Sequence, residues 1–382
     1  MNPPLNPPLL LKPAPKKTPV GLLLTLSLFS LVAGLVVVEA AFHLRPQLMP
    51  AEIRAFFLRG LDKHQQSVMS HETLGYTYAP NLQEYVLPFG DEAQRHYTVS
   101  TVSLGYDNIG FRDDGLAGPP FAVVVGDSFA SCVGVEADHC WVELLEASQG
   151  RDFANLGVPG YGPQQTERML SSYGLPLKPK LVLWLFFQND LLDGWQFEQF
   201  SRVKSPEGWS HPPNDWLLDH SNLYMLSAFF WHNRQYLQLS LFSADETIAS
   251  DSDLAWWLAG AELTNPMIAE GLVATEQAML AGRDQALSVD RDTKFVIVLI
   301  PSREQIRYAD SPFQAALDLP NQTLLRFCAE QAITCLDATP ALRAAAQQQP
   351  QPLYFAHDLH LNEQGNQTLA EIVAQALAEW KE

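Results

Sequence analysis

Five short, strongly apolar stretches between residue 121 and the C-terminus constrain the fold of this chain more than any other feature. They read FAVVVGD, RDFANLGVPG, KLVLWLFFQND, KFVIVLIPS and AITCLDATP, and they begin at residues 121, 151, 180, 294 and 332. Nearly continuous apolar runs of this length are typical of strands that are covered on both faces of a parallel sheet. Helical segments separate them, so the pattern predicts an α/β domain with right-handed crossover connections.

Hydrophobic periodicity predicts amphipathic helices between these stretches. In three segments the apolar residues recur at a spacing of three or four and therefore share one helical face. These residues are Trp141, Leu144 and Leu145; Ile268, Leu272, Thr275 and Met279; and, after Gly365, Leu369, Ile372, Val373 and Leu377. With 47% hydrophobic residues, the chain can bury a sizeable core around the sheet.

The N-terminus carries an apolar run of 19 uncharged residues, from Val20 to Val38. About 20 apolar residues cross the hydrocarbon layer of a membrane as a helix. Residues 1–18 are rich in proline and contain lysines but no acid, which favours a cytoplasmic tail and an external body. We therefore predict a tail at 1–18 and a transmembrane anchor at 19–41. A signal peptide cleaved near Ala40 is the alternative, and it also places the body outside the cytoplasm.

Charge and cysteine content narrow the class of protein further. A formal net charge of −19 argues against nucleic acid and anionic lipid headgroups as main partners, since both bind surfaces rich in lysine and arginine. Cys132 and Cys140 form one local pair, and Cys328 and Cys335 form another, which suggests two short disulfides in an exported protein. Other pairings and free buried thiols stay open, and the spacing does not fit a zinc site.

The rest of the chain divides into three parts. Residues 42–118 are a turn-rich lead-in, which we expect to form a small β layer packed on the α/β domain of residues 119–382. An aromatic-rich insertion at 191–260 interrupts that domain directly after the third strand, where open parallel sheets bind ligands. The insertion is therefore placed to cover a site as a lid. Helices packed on their own aromatics, or a patch lying on a membrane surface, are the alternatives.

Residues suited to nucleophilic catalysis follow the predicted strands. Ser128 follows the first strand, Gly157 and Gly160 the second, and Asn189 the third, while His360 lies after the fifth. Because parallel strands end at one edge of their sheet, these residues should meet there. A serine, backbone amides, an asparagine amide and a histidine are the nucleophile, oxyanion donors and base of acyl transfer.

These positions, taken in order, resemble the four sequence blocks of the GDSL, or SGNH, hydrolase family. The matches are Ser128 in GDSF, Gly160 in NLGVPG, Asn189 in QND and His360 in HDLHLNEQGN. The resemblance covers roughly residues 120–382 and implies a three-layer α/β/α, flavodoxin-like fold with a five-stranded parallel sheet. It further implies an enzyme that hydrolyses esters or thioesters without a cofactor. The NIGFRDDG lead-in and the anchor resemble a membrane-tethered bacterial branch of the family.

The resemblance assigns a role to each matched residue. Ser128 is the nucleophile and His360 the base, while Asp358 orients the imidazole. The Ser128 and Gly160 N–H groups and the Asn189 amide form the oxyanion hole. The implied substrate is an acyl ester, such as an O-acetylated glycan or a lipid, which reacts through an acyl-serine that water or an acceptor hydroxyl resolves. The implied location is the outer face of a bacterial inner membrane.

Two positions depart from the family pattern. Phe187 stands where a glycine is common, which predicts a smaller or more apolar pocket. His357 stands where the acid is often found, so we assign the acid role to Asp358 at the shorter Asp-x-His spacing. Asp127 and Asp190 are interpreted as structural residues that accept hydrogen bonds from turn amides.

Two further interpretations concern a metal site at the histidines and a non-catalytic role of the chain. His357 and His360 are three residues apart and could bind a metal, but no further ligand stands at a suitable spacing, so we predict no metal site. His211, His220 and His232 lie in the insertion and are interpreted as ordinary polar residues. Alternatively, the chain is a non-catalytic accessory subunit that uses the aromatic insertion as an interface, an idea motivated by the two departures from the family pattern.

Overall fold

The structure is a computed structural model that describes most of the chain. The described residues are 20–45, 48, 67–88, 96–200, 217, 220–232, 234, 237–239, 243, 245–348, 351–356 and 358–379. The predicted tail at 1–18, parts of the lead-in and of the insertion, His211 and His357 lie outside them.

The N-terminal apolar run forms one long helix, α1 (Val20–Leu44). Its segment Leu24–Leu44 has a mean hydropathy of 2.1 and none of its most apolar window is buried in the protein. By length and composition this helix is a candidate membrane span, although a signal sequence meets the same criteria.

The lead-in folds into two antiparallel hairpins. One pairs β1 (Val68–His71) with β2 (Gly75–Tyr78), and the other pairs β3 (Tyr85–Pro88) with β4 (His96–Val99). Burial alternates along β4, where Tyr97 and Val99 point inward, whereas in β2 the consecutive residues Thr77 and Tyr78 are both buried. The inward residues, which include Tyr78 and Val99, join the same hydrophobic cluster as one face of the main sheet.

A five-stranded parallel sheet forms the centre of the described structure. Its strands are β5 (Ala122–Val125), β6 (Phe153–Asn155), β7 (Leu181–Phe186), β8 (Lys294–Leu299) and β9 (Thr334–Asp337). They lie in the order β6-β5-β7-β8-β9, which is the 2-1-3-4-5 order of flavodoxin-like folds. All neighbouring strands are parallel, so the predicted α/β fold is confirmed.

Helices cover both faces of this sheet. The helices that follow β5 along the described chain are α2 (Trp141–Gln149), α3 (Pro163–Met169), α4 (Asp190–Phe200), α5 (Asn222–His232), α6 (Glu246–Ser250), α7 (Ser252–Gly260), α8 (Pro266–Val289), α9 (Arg303–Arg307), α10 (Gln314–Leu317), α11 (Leu319–Glu330), α12 (Thr339–Gln348) and α13 (Glu363–Glu379). Val182 and Ile297 face the layer of α3, α8 and α11, while Leu183 and Val298 face the layer of α2, α7, α12 and α13.

The C-terminal helix begins earlier than the sequence predicts. The helical stripe suggested a start after Gly365, but α13 begins at Glu363. Asn362 caps it, since its Oδ1 accepts a hydrogen bond from the Gly365 N–H at 3.0 Å. A Cβ on Gly365 would lie 2.0 Å from the Leu353 carbonyl oxygen, so close packing, not helix termination, requires glycine there.

The four cysteines are joined in the two local pairs. One disulfide links Cys132 to Cys140 and the other links Cys328 to Cys335. The first pair braces the loop between β5 and α2, and the second joins α11 to β9.

Candidate active site

Ser128 lies in a sharp turn directly after β5. Gly126 there has φ of 153°, and a Cβ on it would lie 3.0 Å from the Leu185 Cβ on the neighbouring strand, so the turn requires glycine. Ser128 is 7% exposed and sits at the carboxyl edge of the sheet. Consecutive hydrogen-bonded turns follow Ser128, and α2 begins at Trp141, in the segment where the sequence predicts a helix.

The neighbouring Asp127 connects several of the candidate residues. Its Oδ1 accepts a hydrogen bond from the Phe129 N–H at 2.9 Å, and its Oδ2 accepts one from the Ser128 hydroxyl at 3.4 Å. Burial raises the pKa of the Asp127 carboxyl, while the Phe129 N–H, the nearby His360 and a hydrogen bond from Asn189 act to lower it. The structure therefore brings Ser128, Asn189 and His360 around this one carboxyl.

Asn189 follows β7 and precedes the first residue of α4. Its Nδ2 donates to the Asp193 Oδ2 at 2.9 Å, one turn further along the helix. Its Oδ1 is buried and has no hydrogen-bond partner in the described part of the chain. The NH₂ of Asn189 therefore faces the buried acids Asp193 and Asp127, and it is a hydrogen-bond donor at this edge of the sheet.

Asp190 stabilises the same turn. Its Oδ2 accepts a hydrogen bond from the Phe187 N–H at 3.2 Å, which is the structural role that the sequence analysis gave it. Burial, followed by the charges of Asp127 and Asp193, raises the pKa of the Asp190 carboxyl well above its usual range. The protonated form is therefore favoured, which relieves repulsion among three buried acids.

The loop after β6 packs against the serine turn. The Val158 N–H donates to the Gly126 carbonyl at 3.2 Å. A Cβ on Gly157 would lie 2.5 Å from the Ser131 nitrogen, so the two loops approach as closely as glycine permits. Gly160 is exposed at the end of this loop with φ of 75°, and the Tyr76 hydroxyl lies 2.8 Å from the place a Cβ would take.

His360 and Asp358 form a close pair in the loop before α13. The His360 Nδ1 lies 2.5 Å from the Asp358 Oδ1, and the same oxygen accepts the His360 backbone N–H at 2.8 Å. Burial acts to raise the pKa of Asp358, but the hydrogen bonds and charge of His360, together with the charge of Arg303, outweigh it and lower the pKa. The carboxylate is thus charged and fixes the imidazole, whereas His357 lies outside the described residues.

Arg303 supports this loop and was missed by the sequence analysis. Its guanidinium donates to the Ala356 carbonyl at 2.7 Å and pairs with Asp253 of α7 and with Glu304. The Phe355 N–H also donates to the His360 carbonyl at 3.1 Å, which closes the loop on itself. An isolated arginine after a strand gives no sequence signal for such a role.

Aromatic rings line the side of the site next to the serine. Phe129 stacks at 4.1 Å on Phe187, and its ring centroid lies 5.2 Å from that of His360. Trp257 of the insertion meets Phe187 edge to face at 5.2 Å. Phe187, at the position where the family pattern commonly has a glycine, is fully buried. Its ring contacts both the serine turn, through Phe129, and the insertion, through Trp257.

Arg112 of the NIGFRDDG segment holds the loop that follows Ser128. The side chain is buried, and its guanidinium donates to the carbonyls of Ser131, Cys132 and Val135 at 2.5 to 2.6 Å. A buried guanidinium is costly unless its donors are satisfied, so this cluster of carbonyls is a specific site for arginine. The sequence pattern gives no signal for this role of Arg112.

Comparison with known proteins identifies the family of this chain. Residues 124–368 match the model of the GDSL-like lipase/acylhydrolase family. No match was found in a search of curated proteins.

Similar solved structures include a putative lipolytic protein of the G-D-S-L family from Desulfitobacterium hafniense, with 12% identity and a TM-score of 0.37 over 66% of this chain and 97% of that chain. A psychrotrophic esterase from Pseudoalteromonas sp. has 10% identity and a TM-score of 0.35 over 68% and 97% of the two chains. An acetyl xylan esterase has 11% identity and a TM-score of 0.38 over 67% and 98%.

Proposed function

Because the chain belongs to the GDSL-like lipase/acylhydrolase family, we propose that it is a membrane-anchored serine esterase that acts outside the cytoplasm. The observation that carries this proposal is the His360–Asp358 pair, whose imidazole ring lies 5.2 Å from the ring of Phe129, the residue directly after Ser128. A nucleophile, a hydrogen-bond donor and an oriented base are the parts that acyl transfer requires.

The proposed reaction begins with attack of the Ser128 Oγ on the acyl carbonyl. His360 takes the hydroxyl proton through Nε2, because its Nδ1 is held by Asp358. Bond formation between Oγ and the carbonyl carbon moves the electron pair of the carbonyl onto its oxygen. When the tetrahedral intermediate collapses, the alkoxide leaves and receives that proton from His360. Water, or an acceptor hydroxyl, then attacks the acyl-serine by the same steps in reverse.

The oxyanion would be bound by three donors at the strand edge. They are the Ser128 and Gly160 N–H groups and the Asn189 amide. The bond to Asp193 fixes the plane of that amide, so its second hydrogen is directed to the side of Asp127 and Ser128. Each such donor typically contributes a factor of about 10²–10³ in rate.

A short acyl group is the proposed substrate class, with acetyl as its smallest member. Ser128 is almost fully buried, and the ring of the adjacent Phe129 packs beside the site, with its centroid 5.2 Å from that of the His360 ring. A long acyl chain would have to displace this packed aromatic wall, while an acetyl group would not. We expect rates on p-nitrophenyl esters to fall as the acyl chain lengthens from acetate to dodecanoate.

Membrane anchoring is proposed from α1 and its flanks. The helix is long and apolar enough to span a bilayer, and the lysine-containing tail before it favours a cytoplasmic N-terminus. Two disulfides fit an oxidising compartment on the other side. Resistance of the full chain to carbonate extraction, with the body sensitive to external protease, is the expected result.

The test of the enzymatic proposal is hydrolysis of p-nitrophenyl acetate by the full chain in detergent. Ser128→Ala should reduce turnover by on the order of 10⁶-fold, which is the typical cost of losing a serine nucleophile. Ser131→Ala is the matched control, because Ser131 lies in the same turn and should retain activity. Equal turnover of Ser128→Ala and wild type would rule out Ser128 as the nucleophile.

A further inference from the structure

Helix α5 in the aromatic insertion exposes large apolar side chains. Phe230 is 48% exposed and Trp231 is 66% exposed, near the C-terminal end of the helix. Arg234 stacks on the Trp231 ring with its guanidinium carbon 4.8 Å from the ring centroid. Adjacent aromatic rings with a cation beside them match the chemistry of the lipid headgroup layer, where aromatic rings accumulate and arginine binds phosphate.

The N-terminus of α5 is fixed to the end of the candidate membrane helix. Glu39 of α1 accepts hydrogen bonds from the Asn222 N–H at 2.7 Å, the Leu223 N–H at 2.9 Å and the Ser221 hydroxyl at 3.0 Å. A carboxylate that receives the free N–H groups of a helix N-terminus also interacts favourably with the helix dipole. The cap on α5 is therefore supplied by α1, which ties the two helices together at the external end of α1.

Apolar contacts continue from this junction into the α/β domain. Met225 of α5 is buried and packs in one cluster with Phe42 of α1 and Leu192 of α4. Leu192 is three residues after Asn189, so the cluster lies about one helical turn from the candidate oxyanion donor. The end of α1, the helix α5 and the carboxyl edge of the sheet are thus continuous.

We propose that α5 lies on the outer surface of the phospholipid bilayer that α1 spans, with Phe230 and Trp231 in the headgroup layer. The proposal rests on the proposed anchoring of α1. It identifies the phospholipid headgroup layer as what covers the exposed side chains of α5. Glu39 sets the depth of α5, because the external end of a spanning helix is at the membrane boundary. The arrangement holds the site beside the membrane, so esters presented at a lipid surface are the substrates it favours.

The test uses the full chain in phosphatidylcholine nanodiscs. All four native cysteines are in disulfides, so one introduced cysteine can be labelled with an environment-sensitive fluorophore. Trp231→Cys reports on α5. Val289→Cys is the matched control, because Val289 is 51% exposed and ends α8 near the amino edge of the sheet, opposite the site.

A label at Trp231→Cys should be quenched at least about twofold by dibrominated phosphatidylcholine, while a label at Val289→Cys stays unquenched. If α1 is inserted and the Trp231→Cys label is no more quenched than the control, the position of α5 is wrong and the anchoring stands. If carbonate extracts the chain, anchoring and this inference both fail, whereas p-nitrophenyl acetate hydrolysis still tests the chemistry. Phe230→Cys gives an independent second reading of the same surface.

Discussion

The hydrogen bond between Asp358 and His360 offers the sharpest test of the proposed base. In Asp358→Asn the side chain keeps its shape but loses its charge, and the two hydrogen bonds at 2.5 and 2.8 Å lose their ionised acceptor. A hydrogen bond to a charged group contributes about 1.5–3 kcal/mol against about 0.5–1.5 for a neutral one. The difference of roughly 1–2 kcal/mol alone lowers kcat by a factor of about 5–30.

A second effect adds to this loss. The NH₂ of the introduced asparagine can turn toward the Nδ1 of His360. Nδ1 must then accept a hydrogen bond, so the ring proton sits on Nε2, which cannot act as a base. A wrong tautomer of this kind costs up to about 10⁴-fold in kcat in serine proteases. We therefore expect Asp358→Asn to lower kcat on p-nitrophenyl acetate by about 10²–10⁴, with little change in KM.

The assay needs a matched control for the change of acid to amide. Asp245→Asn is suitable, because Asp245 caps α6 by accepting the Thr247 N–H at 2.9 Å and asparagine caps helices equally well. Thermal unfolding establishes that both variants are folded. A kcat for Asp358→Asn within about threefold of wild type would refute the reasoning, since even loss of charge alone exceeds that factor.

Three further predictions concern stability and the support of the site. Arg112→Lys should destabilise the fold by about 2–4 kcal/mol in urea unfolding, because the single ammonium of lysine cannot satisfy the three carbonyls as the guanidinium of Arg112 does. In the activity assay, kcat should fall by a larger factor than KM rises. Unchanged stability would contradict this role of Arg112. Burial raises the pKa of Glu143 to about 8, with nearby acids adding to the shift, so the folded state holds this proton more tightly than the unfolded state. Stability from this group is full below the usual pKa of 4.5 and is lost as pH rises through 8. At on the order of 1.4 kcal/mol per pKa unit the decline is at most roughly 5 kcal/mol, and Glu143→Gln should flatten it; an identical pH profile of Tm would exclude this role. Removing the disulfide by Cys132→Ser with Cys140→Ser should cost about 2.5 kcal/mol from loop closure alone, read from the urea midpoint against wild type, and no change would show that the loop is already held by other contacts.

The strands of the sheet could be predicted because their signal is local. Strands β7 and β8 are uninterrupted apolar runs, and a run buried on both faces has few other solutions. Boundaries were less accurate, as at Gly365, because an asparagine cap and a close backbone approach decide where α13 begins. Such tertiary contacts leave no periodic pattern in the sequence.

Some residues of the candidate site could be predicted from the sequence and others could not. Ser128 and Asn189 follow β5 and β7 closely, so their positions predict that they converge, whereas α12 separates His360 from β9 and its place was predicted from the family resemblance. Arg112 and Glu39 act through backbone carbonyls and N–H groups of segments far away in sequence, at Ser131–Val135 and at α5. A side chain that bonds to a distant backbone group has no partner side chain whose position in the sequence would predict the contact. Only the folded structure identifies such a contact.

The central claim is that Ser128 is an activated nucleophile, and covalent trapping tests it most directly. The full chain is treated with a fluorophosphonate, digested, and the modified peptide is identified by mass spectrometry. We expect one phosphonate adduct on Ser128, with none on the Ser128→Ala variant and normal labelling of Ser131→Ala. Folded wild-type protein that gains no adduct, or that carries it on another serine, would contradict the account.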